Sequence, residues 1–352
     1  MKILYSVQAT GNGHIARAIE LLPYLQQYGQ VDVFLSGSNS HVPHHSLPVK
    51  YRSKGLSLFY GHRGGLHYGK IWQALDVQHI YQYAKELPVA AYDAVLNDFD
   101  CITSLACKLQ KVPSLHWGHQ ASFQNANTPR PAKRNWLGEA VLTHYATATD
   151  YLGLHFSKYG GKIVSPVIKE KVLAAKPVNH GHFTVYLSHY HYQQVLKAVE
   201  PLTDFHFHIF SKDVLRPQSG KNYTLFPINN EVFTQSMLSC AGVITGAGFE
   251  TPAEALYAGK KLLCIPIAGQ YEQWCNAAAL KAFEVPIVAK LDTSFEQHFY
   301  QWLLTEQLPL TLQENTQQIV DTAVQMAYNI RSQNHWLSKL QLQETDLLEL
   351  AI

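Results

Sequence analysis

With 352 residues the chain is about twice the usual domain size, so two domains of roughly 150 to 180 residues are expected. Hydrophobic residues make up 47% and charged residues 15%, a globular composition that excludes disorder. A net charge of +2, from 28 Lys plus Arg scattered among 26 Asp plus Glu, argues against nucleic acid as a partner.

The 19 His include the pair His44 and His45 and the alternating His206 and His208, but these lack Cys partners at zinc-site spacing and read as packing or surface residues. Cys240 and Cys264, two of five cysteines, lie in apolar surroundings that suit buried free thiols, and a reducing cytoplasm is the expected location. The apolar start, 1–7, is too short for a signal segment, and no apolar run reaches the roughly 18 residues of a membrane span.

In chain order, 2–7 reads as a buried strand, 8–13 as a glycine turn and 14–28 as a helix, with Ile15, Ile19, Leu22 and Leu25 on one face and Pro23 as a kink or break. A strand at 31–36 follows. The Gly61 to Gly65 loop (Gly-His-Arg-Gly-Gly) leads to a long helix carrying Trp72, Leu75 and Ile80. Then come a strand at 92–97 ending on Asp98, a helix at 102–109, a strand at 113–116 and a helix at 139–147. Around 164–179 the strand signal stops. It restarts at 183–187 and recurs at 204–210, 223–226, 242–245, 262–266 and 285–288, with helices at 232–238, 252–258 and 274–282 and a helical tail after 294. Strands alternating with helices predict two α/β domains, each a doubly wound parallel sheet, with a division at 165/166.

The most informative stretch is 243–255. A strand runs through Thr245 into a turn of Gly246, Ala247 and Gly248 and then a helix containing Thr251 and Glu254. Free backbone N–H groups and the positive helix end converge there on a site suited to phosphate, which glycines let the backbone approach closely. The string Thr251-Pro252-Ala253-Glu254 also fits a capping box, with Thr251 as N-cap. At the other terminus His14 follows a turn built on Gly11 and Gly13. A neutral imidazole there suits a general base, and a helix start biases it toward neutrality. Asp98 and Asp100 both compete to orient it. The string Asp98-Phe99-Asp100 also reads as a metal-binding Asp-x-Asp, but such strings arise often by chance, and no metal is expected.

From 243 through 277, helix, glycine turn, buried strand, Pro266 and then Gln270, Glu272 and Gln273 at a helix start resemble the donor half of GT-B glycosyltransferases. The resemblance is to the signature box of nucleotide-sugar glycosyltransferases and to the peptidoglycan lipid-intermediate N-acetylglucosaminyltransferase. It implies that Glu254 binds ribose hydroxyls, that Glu272 and Gln273 hold the donor sugar with Gln270 also in the donor site, and that Phe226 and Ile228 hold the base, with Ser188 near the diphosphate. Gly246 stands where plant-type boxes carry a phosphate-binding His, so backbone donors and Thr245 or Thr251 would serve. His14 then matches the family's base and Asp98 its partner.

The resemblance implies two Rossmann-like domains facing a cleft and a metal-independent, inverting sugar transfer. The donor would be a nucleotide-diphosphate sugar, UDP-linked for preference. The acceptor is open: a saccharide, a lipid-linked or a small molecule, bound between loops 53–68 and 118–136, with peripheral membrane contact among the options. A nucleotide-sugar 2-epimerase of the same fold and a non-catalytic nucleotide-sugar binding protein are the alternatives.

Overall fold

The computed structural model describes residues 1–9, 11–37, 47–54 and 76–349. The loop at 61–65, Trp72, Leu75 and the His44–His45 pair lie outside the described residues.

The first sheet is wholly parallel and has the spatial order β3-β2-β1-β4-β5-β6-β7. Its strands are β1 (Lys2–Gln8), β2 (Gln30–Ser36), β3 (Val49–Ser53), β4 (Ala94–Asp98), β5 (Leu115–Gly118), β6 (Asp150–Leu154) and β7 (Ile163–Val164). Between them run α1 (Asn12–Leu25), α2 (Val77–Glu86), α3 (Cys101–Leu109) and α4 (Trp136–His144). β1 is apolar on both faces because both are covered. Ile3, Tyr5 and Val7 pack on one side with Ile15, Ala18 and Leu22 of α1, while Leu4 packs with Ile102 and Ala106 of α3 on the other.

A short helix, α5 (Glu170–Leu173), lies in the connection to the second sheet, whose order is β10-β11-β9-β8-β12-β13. Its strands are β8 (Phe183–Tyr186), β9 (Phe207–Ser211), β10 (Gln218–Ser219), β11 (Tyr223–Pro227), β12 (Gly242–Thr245) and β13 (Lys261–Cys264); only the short β10 pairs antiparallel. The helices are α6 (Tyr192–Val199), α7 (Asn230–Ser239), α8 (Glu250–Tyr257), α9 (Tyr271–Leu280) and α10 (Phe295–Leu304). The last helix, α11 (Thr316–Glu349), returns to lie against α1, β4 and β5 of the first sheet, burying Ile319, Val320, Ala323 and Val324.

Several expectations are corrected. α1 carries Pro23 within it and ends only at Leu25, where a 3₁₀ turn, Gln26–Tyr28, takes over. The segment 285–288 is no strand but a single bridge, Cys264 to Ile287. The tail is broken between α10 and α11. The short strands β3, β6 and β7 carry too little pattern to stand out in the sequence.

In both sheets the strand order reverses beside the first strand, between β1 and β4 in one and between β8 and β12 in the other. Ligands of doubly wound sheets bind outside the carboxyl ends of the strands at that reversal. The turns after β1, β4 and β12 are therefore where chemistry is expected.

Candidate active site

His14 sits in the first turn of α1, directly after β1, and Asp98 is the last residue of β4, the neighbouring strand across the reversal. His14 Nδ1 lies 3.0 Å from Asp98 Oδ1. The carboxylate is fully buried and the imidazole nearly so. Gln120 Nε2 approaches His14 Nε2 at 3.4 Å as a donor. The tautomer with Nδ1–H on Asp98 and the Nε2 lone pair free for a proton fits these partners.

The backbone at Asp98 is built for this. Phe99 takes a left-handed conformation, φ 59°, unusual for a bulky residue. The Asn97 side chain braces the turn, donating to Asp100 O at 2.9 Å and accepting from Asp100 N at 2.7 Å. Asp100 caps α3 through Thr103 N, 2.6 Å, and bonds Ser36. The structure thus gives His14 the partner Asp98 and uses Asp100 as a helix cap. Gly118 stands against the carboxylate with φ 151°, and a Cβ there would lie 2.5 Å from Asp98 Oδ1.

Arg17, one helical turn after His14, is the residue that motif reading missed. It is 4% exposed. Its Nη2 donates to both oxygens of Asp98, at 2.8 and 2.9 Å, and lies 3.1 Å from His14 Nδ1, while Nη1 pairs with Glu250 of the second domain. Burial would push the Asp98 carboxyl up, but the Arg17 and His14 charges and hydrogen bonds hold it down, to about 2. For His14, burial disfavours the cation, yet Asp98 outweighs it and raises the pKa above 6.5. The helix-start bias toward neutrality is therefore overridden. His116, on β5, is buried, which lowers it to about 4, and neither ring nitrogen has a partner among the described residues.

On the facing side, α8 begins at Glu250 after the turn Gly246 to Gly248, with no side chain capping it. The capping box expected at Thr251 is not formed, because the helix starts two residues earlier with Phe249 at the cap position. The first-turn amides of Glu250 and Thr251 consequently have no intrahelical acceptor. Gln273, on α9, accepts at Oε1 from Ala247 N, 3.1 Å, and Ile267 N, 2.9 Å, so it fastens the glycine turn. Thr245 Oγ1 donates to Tyr186 O at 3.0 Å. Gly248 borders open space. Glu254 is 2% exposed and accepts from Lys169 Nζ at 3.0 Å.

Glu272 accepts from Gln120 Nε2 at 3.0 Å, and the buried Gln270 Oε1 has no partner among the described residues. Ser188 is exposed just after β8. Phe226, stacked on Phe210 at 5.1 Å, and Ile228 lie at the end of β11, separated from β12 by β9 and β8.

Among the described residues, contacts that join the two reversals include Arg17 with Glu250, Gln120 with Glu272, Asn12 Nδ2 with Tyr186 at 3.5 Å, and His119 Nε2 with Asn276 Oδ1 at 2.8 Å. His119 also stacks on Phe249 at 4.0 Å. Among the described residues no group of three or more His, Cys, Asp or Glu comes together that could hold a metal ion. Nor is any helix there long and apolar enough to cross a membrane.

Two doubly wound domains with apposed reversals and a glycine turn on each side of the cleft define the GT-B architecture. Residues 1–309 match the family described as Glycosyl transferase family 1, and the chain belongs to that family. It is a glycosyltransferase of GT-B type. Solved structures agree on the fold. Arabidopsis thaliana UGT89C1, complexed with UDP-L-rhamnose, is 12% identical, with 93% of this chain and 94% of that one covered and a TM-score of 0.58. MurG of Acinetobacter baumannii is 14% identical, with 94% and 99% covered and a TM-score of 0.50. The glycosyltransferase VinC, in complex with DTDP, is 14% identical, with 94% and 96% covered and a TM-score of 0.50. No curated protein matches the chain in sequence.

Proposed function

We propose that the protein transfers a sugar from a nucleotide-diphosphate donor, UDP-linked for preference, to a hydroxyl acceptor, with inversion and without a metal. The observation that carries the reading is His14, backed by Asp98, next to Gly13, against which the first residue of α8, Glu250, packs from the other domain. His14 Nε2 takes the acceptor proton as the oxygen attacks the anomeric carbon. The nucleoside diphosphate leaves into the turn of Gly246, Ala247 and Gly248, where the amides of Gly248, Glu250 and Thr251 and the α8 dipole stabilise its charge.

In this account Glu254 accepts from the ribose hydroxyls, shedding Lys169 to do so, and Phe226 and Ile228 border the base, with Ser188 near the phosphates. Gln270 and Glu272 face the donor sugar while Gln273 holds the turn. Single displacement is supported by the base lying on the opposite domain from the donor. Residues 1–165 then form the acceptor domain and 166–352 the donor domain. The acceptor meets the first-domain side near Gln120 and the 118–136 segment, and the reaction belongs to the cytoplasm.

Calorimetric titration with nucleoside diphosphates in EDTA, on wild type and Glu254→Ala, tests the donor site. Selective binding of one nucleotide, indifferent to EDTA and at least tenfold weaker in the variant, is expected. Absence of any binding would remove the main support.

A further inference from the structure

Glu250 stands where a diphosphate is expected, yet it is itself an anion. It opens α8 directly after the Gly246 to Gly248 turn, but its carboxylate caps nothing on its own helix. It reaches across the cleft to Arg17 and covers Gly13: a Cβ on Gly13 would lie 2.5 Å from Glu250 Oε2 and 3.0 Å from its Cδ. The carboxylate therefore lies against the Gly13 turn at the start of α8, beside the open space at Gly248 proposed above for the donor phosphates.

Its partner is equally telling. Arg17 is buried between two carboxylates, Asp98 and Glu250, and its Nε–H, buried as well, finds no partner among the described residues. A guanidinium is suited to phosphate oxygens as well as to carboxylates. With His14 in the neutral form that a base requires, one cation against two anions leaves this cluster negative, and a diphosphate added beside Glu250 in a water-poor cleft would be repelled. Of the three groups Glu250 is the one free to yield, since its side chain is 20% exposed against 3% for Arg17 and 0% for Asp98.

We infer that Glu250 is an internal stand-in for the donor diphosphate: nucleotide binding displaces its carboxylate from Arg17, and Arg17 takes the phosphates instead. The inference rests on the donor-site reading above. It makes Glu250 a brake on donor affinity and Arg17 a donor-binding residue contributed by the opposite domain. Asp98 keeps its hold on Arg17 throughout, so the guanidinium that meets the leaving group also touches the carboxylate that orients the base.

The test is calorimetric titration of the full-length protein with uridine, UDP and TDP in EDTA, on wild type, Glu250→Gln, Glu250→Ala and Arg17→Lys, each first checked by circular dichroism. Glu250→Gln is expected to bind UDP about tenfold more tightly, equivalent to about 1.4 kcal/mol, with uridine affinity unchanged. Arg17→Lys is expected to lose about tenfold for UDP and nothing for uridine. If Glu250→Gln fails to fold, Glu250→Ala carries the same expectation.

UDP affinity equal to or weaker than wild type in a folded Glu250 variant would overturn the inference and leave the donor site standing. A gain shared by uridine would overturn it too, because the effect would then not lie at the phosphates. If no protein binds either diphosphate, the donor-site reading falls and the inference with it.

Discussion

Replacing Arg17 by Met, of similar length, removes the cation between Asp98 and Glu250 and leaves a fully buried carboxylate with His14 as its remaining charged neighbour. Breaking a buried ion pair from one side costs about 3–5 kcal/mol. The structure sets a comparable scale, since a carboxyl held near 2 instead of 3.8 corresponds to about 2 kcal/mol. The sign of the pH dependence follows. In wild type the depressed Asp98 pKa gives stability that is complete above 3.8 and lost only as pH falls toward 2, so Asp98 adds no slope between pH 5.5 and 7.5, where the raised His14 pKa contributes stability lost as pH rises above 6.5.

In the variant, burial acts on Asp98 without Arg17 and raises its pKa, so the folded state binds a proton that the unfolded state lacks at the same pH. Stability of the variant then falls as pH rises. His14, relieved of the Arg17 charge, moves in the same direction. The loss should be about 3–5 kcal/mol at pH 7.5 and smaller by about 2 kcal/mol at pH 5.5, at up to about 1.4 kcal/mol per pH unit for one proton. Urea unfolding followed by fluorescence at the two pH values measures both. A loss below about 1 kcal/mol, or one equal at both pH values, would refute the reasoning.

His14→Ala should lower turnover by about 10²–10⁴ while leaving UDP affinity within about twofold, because the base does not hold the donor; turnover and calorimetry together check this. Asp98 raises the His14 pKa above 6.5, so the acid limb of the kcat/KM profile should lie above 6.5 and move to lower pH in Asp98→Asn, with turnover reduced. Gly138 of α4 faces Tyr271 of α9 so closely that a Cβ would sit 2.4 Å from Tyr271 Cβ. Gly138→Ala should therefore cost about 1–3 kcal/mol by forcing apart two helices that join the domains, read from the unfolding midpoint.

The alternation of strands and helices was legible because fully covered parallel strands are nearly continuous apolar runs, as in β1 and β12. His14 and the Gly246 to Gly248 turn were also readable, because a glycine turn after a strand leaves its mark within a few residues, whereas the sequence leaves Asp98 and Asp100 competing for His14 and only the fold separates them. Arg17 was not, although it lies at i+3 from His14 on the same helix face, since a buried Arg is recognised only by the carboxylates that meet it from residues 98 and 250. Glu250 stands just before Thr251-Pro252-Ala253-Glu254, a string that reads as a cap and gives no sign that the helix begins two residues earlier, at Glu250 itself. Gln273 was read as a sugar ligand, and only the fold shows its oxygen held by two backbone amides. The segment 285–288 has strand-like residues but forms only one bridge at the sheet edge, a tertiary outcome that local pattern does not encode.

The most direct test of the account is product analysis by mass spectrometry after incubation with a panel of UDP- and TDP-sugars and a pool of saccharide acceptors in EDTA, using wild type and His14→Ala. The account predicts an acceptor heavier by one sugar residue, formed by wild type, reduced to trace by the variant and unaffected by EDTA. Donor binding by wild type with no sugar moved to any acceptor, or transfer that His14→Ala sustains at the wild-type rate, would contradict it.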